Sequence, residues 1–146
     1  MVYRLYIATI KQNDKTAWAF AFYNHQDFLV YKRTGVSEHS REEAVILEQS
    51  AVALAYFDSS MRRRYYDEHF STRIDEDYLT LYTELPDIAK VAEIIKLDDP
   101  YKTGFIGGGE VWYTLIPFFK QRTMSFETTA SDPLFLATKE LAKTKI

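Results

Sequence analysis

The chain contains no cysteine among its 146 residues. Disulfides and thiolate metal sites are therefore excluded, and a cytoplasmic address is expected. Histidine is scarce: His25, His39 and His69 are scattered without the spacing of a zinc site. Positive charge is not in excess. With a net charge of −3, no global field draws the molecule towards a nucleic-acid backbone, and any such contact must depend on a local patch. No apolar run approaches the roughly 20 residues that span a bilayer, so no membrane partner is expected. The opening MVYRLYIATI runs straight into KQNDK and lacks the flanks of a secretory signal. There is no internal repeat and no low-complexity linker. Gly107-Gly108-Gly109 is not followed by the Lys-Ser/Thr of a phosphate loop and reads as a hinge or turn.

What is present is the composition of a globular domain, 47% hydrophobic and 16% aromatic, long enough to bury a core. Residues 1–146 read as a single domain. Tyr3–Ile10 is apolar and rich in strand formers, ending at the polar turn KQNDK. In Ala17–Tyr23, Trp18, Phe20 and Phe22 share one face of a strand, read as sheet core and not as a base-stacking platform. Phe28–Arg33 follows the short turn NHQD and predicts a hairpin with the strand before it. The period then changes. SREEAVILEQSAVALAYF predicts a helix whose core stripe is Ala44, Leu47, Ala51, Leu54 and Ala55, ending near Asp58-Ser59-Ser60 or continuing into MRRRYY.

Tyr78–Thr83 alternates as a strand and gives way at Glu84 to a helix from Pro86 to about Leu97, with proline at its first position. Glu110–Lys120 reads as helical, Thr123–Thr128 as a short strand, and Ser131-Asp132-Pro133 as the start of a terminal helix. The order β β β α β α α β α implies crossovers, and hence a mixed five-stranded α/β sheet with helices packed on it.

This order and four local matches resemble the ribonuclease H family over nearly the whole chain. LYTELPDIAKVAEII resembles that family's fourth strand and following helix, whose signature is a Leu-Tyr-Thr-Asp-Ser run. REEAVILEQSAVAL is similar to its first helix, with an Arg-x-Glu before an Ala/Leu-rich stripe. EVWYTLIPFFKQRTMSFETTASD resembles the later Trp-containing helix, the last strand and its loop, and ATKELAKTKI the terminal helix. The resemblance implies a ribonuclease H-like fold and RNA/DNA hybrid or another nucleic acid as ligand. It also implies a site of four carboxylates around two divalent metals about 4 Å apart, Mg²⁺ or Mn²⁺, that hydrolyse the RNA strand.

Carried over residue by residue, that ligand set is reduced. The first-strand aspartate falls at Ala8, or at Thr9 if the register moves by one; neither ionises. The first-helix glutamate falls at Glu43 and the fourth-strand aspartate at Glu84, so these two are the candidate catalytic and metal-binding residues. The terminal-helix aspartate falls at Lys139, or at Glu140 with a one-residue gap. An ammonium at Lys139 repels a metal where a carboxylate attracts it. The loop TTASD has no histidine, and KQNDK has no glycine, where the family carries both.

Each candidate has a plainer alternative. Ser40-Arg41-Glu42-Glu43 fits a capping box, and Glu84 with Asp87 complements the positive end of a helix. Arg62, Arg63 and Arg64 beside Tyr65 and Tyr66 suit phosphate and base contacts, but equally the C-terminal end of a helix. His39 lies just before Glu43 and is read as a solvated helix-entry residue. Two functions compete: a hybrid-binding or hybrid-cleaving nuclease with a weak site at Glu43 and Glu84, and a catalytically inactive member of the fold retained for protein or nucleoprotein assembly.

Overall fold

The computed structural model describes residues 2–38, 41–67, 78–85, 123–128 and 131–146, with side chains omitted for 61–67 and 123. Five strands and two helices lie within these limits: β1 (Val2–Gln12), β2 (Lys15–Tyr23), β3 (Leu29–Ser37), α1 (Glu42–Asp67), β4 (Tyr78–Thr83), β5 (Thr123–Thr128) and α2 (Pro133–Lys143). The strands form one mixed sheet in the order β3-β2-β1-β4-β5. β3, β2 and β1 are antiparallel neighbours, whereas β4 runs parallel to β1, and β5 parallel to β4. The expected helices at Pro86–Leu97 and Glu110–Lys120, the Gly107–Gly109 turn, His39 and His69 lie outside the described residues.

Two tight connections build the antiparallel half. Gln12 pairs with Lys15, so Asn13 and Asp14 alone make the first turn, and Asn13 takes a φ of 57°. Asparagine tolerates that left-handed conformation because its short side chain can bond locally. Between β2 and β3, the Asn24 side-chain oxygen accepts from the backbone N–H groups of Gln26 at 2.9 Å and Phe28 at 3.1 Å. Asp27 there has a φ of 64°, and its carboxylate pairs with the Arg4 guanidinium.

β1 is covered on both faces. Tyr3, Leu5 and Ile7 join Phe20, Phe22, Leu79 and Leu81 under α1, which contributes Val45, Leu54 and Phe57. Tyr6 and Ala8 point the other way, towards Phe135 of α2. Ala17 and Ala19 of β2 are closed by Ala142 of the same helix. Alternation along a strand thus divides one run of apolar residues between two cores. Phe57 meets Tyr3 edge-on at 5.4 Å between ring centroids and Phe22 at 5.1 Å.

Two expectations need correction. Ala51 and Leu54 of the expected stripe are buried, but the buried face of α1 also takes in Val45, Ile46, Gln49, Ser50, Ala53 and Phe57. Ala44, Leu47 and Ala55 are only partly buried. The large residues Val45, Ile46 and Phe57 set the face, because they remove more apolar area from water than the alanines. Of the two ends the sequence allowed, the structure takes the later one: the helix continues through MRRRYY to Asp67. β3 starts one residue later than expected and runs on to Ser37 instead of Arg33. Gly35 explains the extension. It lies opposite Trp18, and a Cβ built on it would come within 2.6 Å of the indole ring, so the strand stays flat against Trp18 only without a side chain. The Thr34 hydroxyl adds a 2.7 Å bond to the Trp18 carbonyl.

Gly35→Ala is therefore expected to lower stability by about 1–3 kcal/mol, the usual cost of overpacking. Urea unfolding followed by Trp fluorescence measures it, and an unchanged midpoint would contradict the close approach.

Candidate functional site

β1 and β4 are parallel, with Tyr6 opposite Tyr82, so their C-terminal ends point to the same end of the sheet. Ala8 and Thr9 lie two and three residues beyond Tyr6, and Glu84 lies two beyond Tyr82. α1 runs back along this layer. Phe57 packs at Tyr3, and Glu43 lies 14 residues earlier, about 21 Å along the helix at 1.5 Å per residue. Tyr3 to Thr9 spans about 20 Å of strand. The first turn of α1 is thereby carried towards the end of the sheet where Glu84 sits.

At that end Glu84 has a partner. Its Oε1 accepts from Nζ of Lys139 on α2 at 2.6 Å, and both side chains are about one-third exposed (32% and 33%). A charge-assisted bond of this length between half-buried groups is a strong local tie. Lys139 reaches Glu84 because Phe135, Thr138 and Ala142 anchor α2 on the sheet. Glu140 is turned away, exposed, and bonded to Lys143 at 2.8 Å. Of the two residues aligned with the terminal-helix ligand, the lysine is the one that meets Glu84.

Ala8 and Thr9 part company across the sheet. Ala8 is buried on the α2 side beside Tyr6 and Phe135. Thr9, one position on, faces the α1 side; it is 3% exposed, and its hydroxyl has no hydrogen-bond partner among the described residues. Glu43 is exposed in the first turn of α1, where it and Glu42 complement the helix dipole. The first intrahelical bond runs from Val45 N–H to the Arg41 carbonyl at 3.4 Å, placing the cap at Arg41. Ser40, the other half of the expected capping box, lies outside the described residues. Among the described residues no three His, Cys, Asp or Glu side chains converge as a metal site would require. Arg62, Arg63 and Arg64 fall in the last turns of α1, and their side chains are outside the description.

Beside the Glu84–Lys139 pair lies a group that sequence reasoning missed. Tyr6 stacks on Tyr82 at 4.5 Å between centroids and meets Tyr23 edge-on at 5.7 Å. Its hydroxyl donates to Asp132 Oδ2 at 3.5 Å. Asp132 also caps α2, its Oδ1 accepting from the N–H groups of Leu134 at 2.8 Å and Phe135 at 3.2 Å. One carboxylate thus ties the helix start to the central strand. Burial raises the pKa of all three tyrosines; nearby Arg4 lowers each, and Asp132 raises Tyr6 and Tyr82 further. The available signal was a tyrosine within each of two strands, Tyr6 on β1 and Tyr82 on β4. It becomes visible only once the two strands are known to be neighbours.

With this geometry in place, comparison with solved structures identifies the fold as ribonuclease H-like. The N-terminal RNase H domain of a Mycobacterium tuberculosis protein, solved as a fusion with maltose-binding protein, matches with a TM-score of 0.51 and 5% identity, covering 98% of this chain and 96% of that one. RNase H1 from the halophilic archaeon Halobacterium salinarum matches with a TM-score of 0.50 and 12% identity, covering 99% and 98%. A foamy viral protease-reverse transcriptase, in complex with RNA/DNA hybrid, matches with a TM-score of 0.51 and 8% identity, covering 98% of this chain and 19% of that one. No protein-family model matches the chain, and no curated protein matches it by sequence. At these identities the likeness is one of fold.

The raised tyrosine pKa values predict the alkaline limb of stability. A phenol that resists ionisation when folded, but ionises near pH 10 when unfolded, contributes stability that is complete below pH 10 and lost as pH rises beyond it. Denaturant midpoints are expected to hold between about pH 7 and pH 9, then to fall above about pH 10. The fall should be shallower in Tyr6→Phe. Identical alkaline slopes in the two proteins would remove Tyr6 from the account.

Proposed function

We propose that this chain is a catalytically inactive ribonuclease H-like module that serves in protein or nucleoprotein assembly. The observation that carries the reading is the Lys139–Glu84 bond at 2.6 Å. A carboxylate recruited to a divalent cation must leave its oxygens free, and must not share its site with a fixed ammonium. Glu84 has Oε1 bonded to that ammonium, Ala8 and Thr9 supply no carboxylate, and Glu43 is the remaining candidate ligand, on α1. These residues do not fit a two-metal site, and no hydrolytic step is derived through one.

A second reading keeps RNA/DNA hybrid as ligand, with Mg²⁺ or Mn²⁺ held weakly by Glu43 and Glu84 together with substrate phosphate and water. It is supported by the shared fold with a viral protein solved in complex with RNA/DNA hybrid. The net charge of −3 weighs against it, since phosphate contacts supply most of the affinity for nucleic acid.

Incubation of RNA/DNA hybrid with the protein in Mg²⁺ or Mn²⁺ is expected to give no cleavage above background, unchanged in Glu43→Gln/Glu84→Gln. Robust cleavage abolished by the double substitution would overturn the proposal. Hybrid binding at low salt without cleavage would narrow the assembly to a nucleoprotein; absence of binding would narrow it to protein.

A further inference from the structure

β3 is an edge of the sheet, and its surroundings are unusual for an edge. Natural edge strands are commonly short, charged or covered. β3 is nine residues long, and Phe28 before it with Leu29, Val30 and Val36 within it are 41–65% exposed. A cavity flanks the strand on each face of the sheet. On the α1 side, about 340 Å³ is enclosed by Phe20, Val30, Tyr31, Tyr56, Ser59 and Ser60, among others. On the α2 side, about 320 Å³ lies between Ala21, Leu29, Lys32, Thr138, Leu141 and Glu140, among others, the last with its carboxylate bonded to Lys143.

The bulge explains how one strand serves both cavities. Phe22 pairs with Tyr31 and Tyr23 with Leu29, leaving Val30 as an extra residue. Bulges re-aim side chains, and here Val30 lines the α1-side cavity together with Tyr31. The wall of that cavity is prearranged. Tyr31 stacks on Tyr56 at 5.2 Å, and the Arg33 guanidinium sits 5.5 Å above the Tyr56 ring while its Nη1 donates to the Tyr56 hydroxyl at 2.6 Å.

We propose that β3 is a strand-addition site for an extended, acidic segment of a partner protein that carries apolar side chains and carboxylates on both of its faces, the apolar ones entering the two flanking cavities and the carboxylates meeting Lys32 and Arg33. A strand laid along β3 would direct successive side chains to opposite faces, where the cavities lie. Charge selects the occupant. Lys32 has no acidic partner among the described residues, and Arg33 is held exposed at the rim by Tyr56. A second copy of this chain is disfavoured: antiparallel self-pairing centred on the strand sets Arg33 against Arg33, and like charges directly opposite are destabilising. The proposal deepens the assembly reading by naming the surface and the chemistry of its partner. It involves neither Glu84 nor Lys139, so its failure leaves the result at that pair untouched.

The test uses fluorescence anisotropy with a labelled nine-residue peptide of sequence Val-Val-Glu-Glu-Val-Val-Glu-Glu-Val, which presents both residue types on both faces of a strand, and with the same peptide N-methylated at alternate backbone amides. Binding is expected for the first and not for the second, with slowed hydrogen exchange at β3 amides. Lys32→Glu/Arg33→Glu, whose substitutions are on the surface, should weaken binding on the order of tenfold. Absence of binding, equal binding of the N-methylated peptide, or indifference to charge reversal would each overturn the proposal. So would binding of a single-stranded oligonucleotide, in place of the peptide, that charge reversal abolishes, because the surface would then be a nucleic-acid platform. The N-methyl comparison needs only wild-type protein and stands even if the charge-reversed variant misfolds.

Discussion

The alternation of side chains along β1 is the constraint on which the architecture rests: Tyr3, Leu5 and Ile7 demand cover on one face of the sheet, and Tyr6 and Ala8 on the other. A slip of one residue would exchange the two sets, moving Tyr3, Leu5 and Ile7 out from under α1. Both helices follow from this demand. α1 closes one face with Val45, Leu54 and Phe57, and α2 closes the other with Phe135. The parallel pairing of β1 with β4 follows too, since a parallel neighbour is reached only by a crossover, and α1 lies in that connection. The functional end of the sheet is then a by-product of packing: parallel strands bring their C-terminal ends together, with a helix beside each face.

Much of this was legible in the residues. The Trp18/Phe20/Phe22 stripe, the end of a strand just before Glu84, and Ser131-Asp132-Pro133 as a helix start are all local signals, and all three appear in the structure. Strand existence was clear where β-formers ran between polar turns. The end of β3 was not, because the residue that prolongs it is a glycine, ordinarily a breaker. Its value lies in what it lacks opposite Trp18, and no property of the chain near Gly35 reports that distant ring. The face of α1 was misread in part for a related reason. Ala51 and Leu54 are buried as expected, but Ala44, Leu47 and Ala55 fit the helical period as well as Val45, Ile46 and Phe57, and only the sheet decides which are buried.

The site was half legible. Position by position, the sequence showed where carboxylates persist and where they do not. It also raised the electrostatic objection at Lys139. It did not show that Lys139 and Glu84 would bond, because 55 residues separate them and their meeting depends on how α2 lies on the sheet. Nor could it choose between Lys139 and Glu140, neighbours set about 100° apart around the helix. The tyrosine group around Tyr6 was hidden in the same way, assembled from three strands and a helix cap.

The Asp132 carboxylate, described above as a cap, has a second consequence when considered with Lys139. α2 is fastened to the sheet at two places, by Tyr6 near its first residue and by Glu84 seven residues further on. Each fastening joins a group on α2 to one on a strand that is neighbour to the other, so the helix is triangulated and not hinged. For Glu84 the counter-ion is delivered by the chain itself, at an effective concentration set by geometry and not by the medium. The pair forms as the helix docks and, being one-third exposed, is screened by salt less than a fully exposed pair would be.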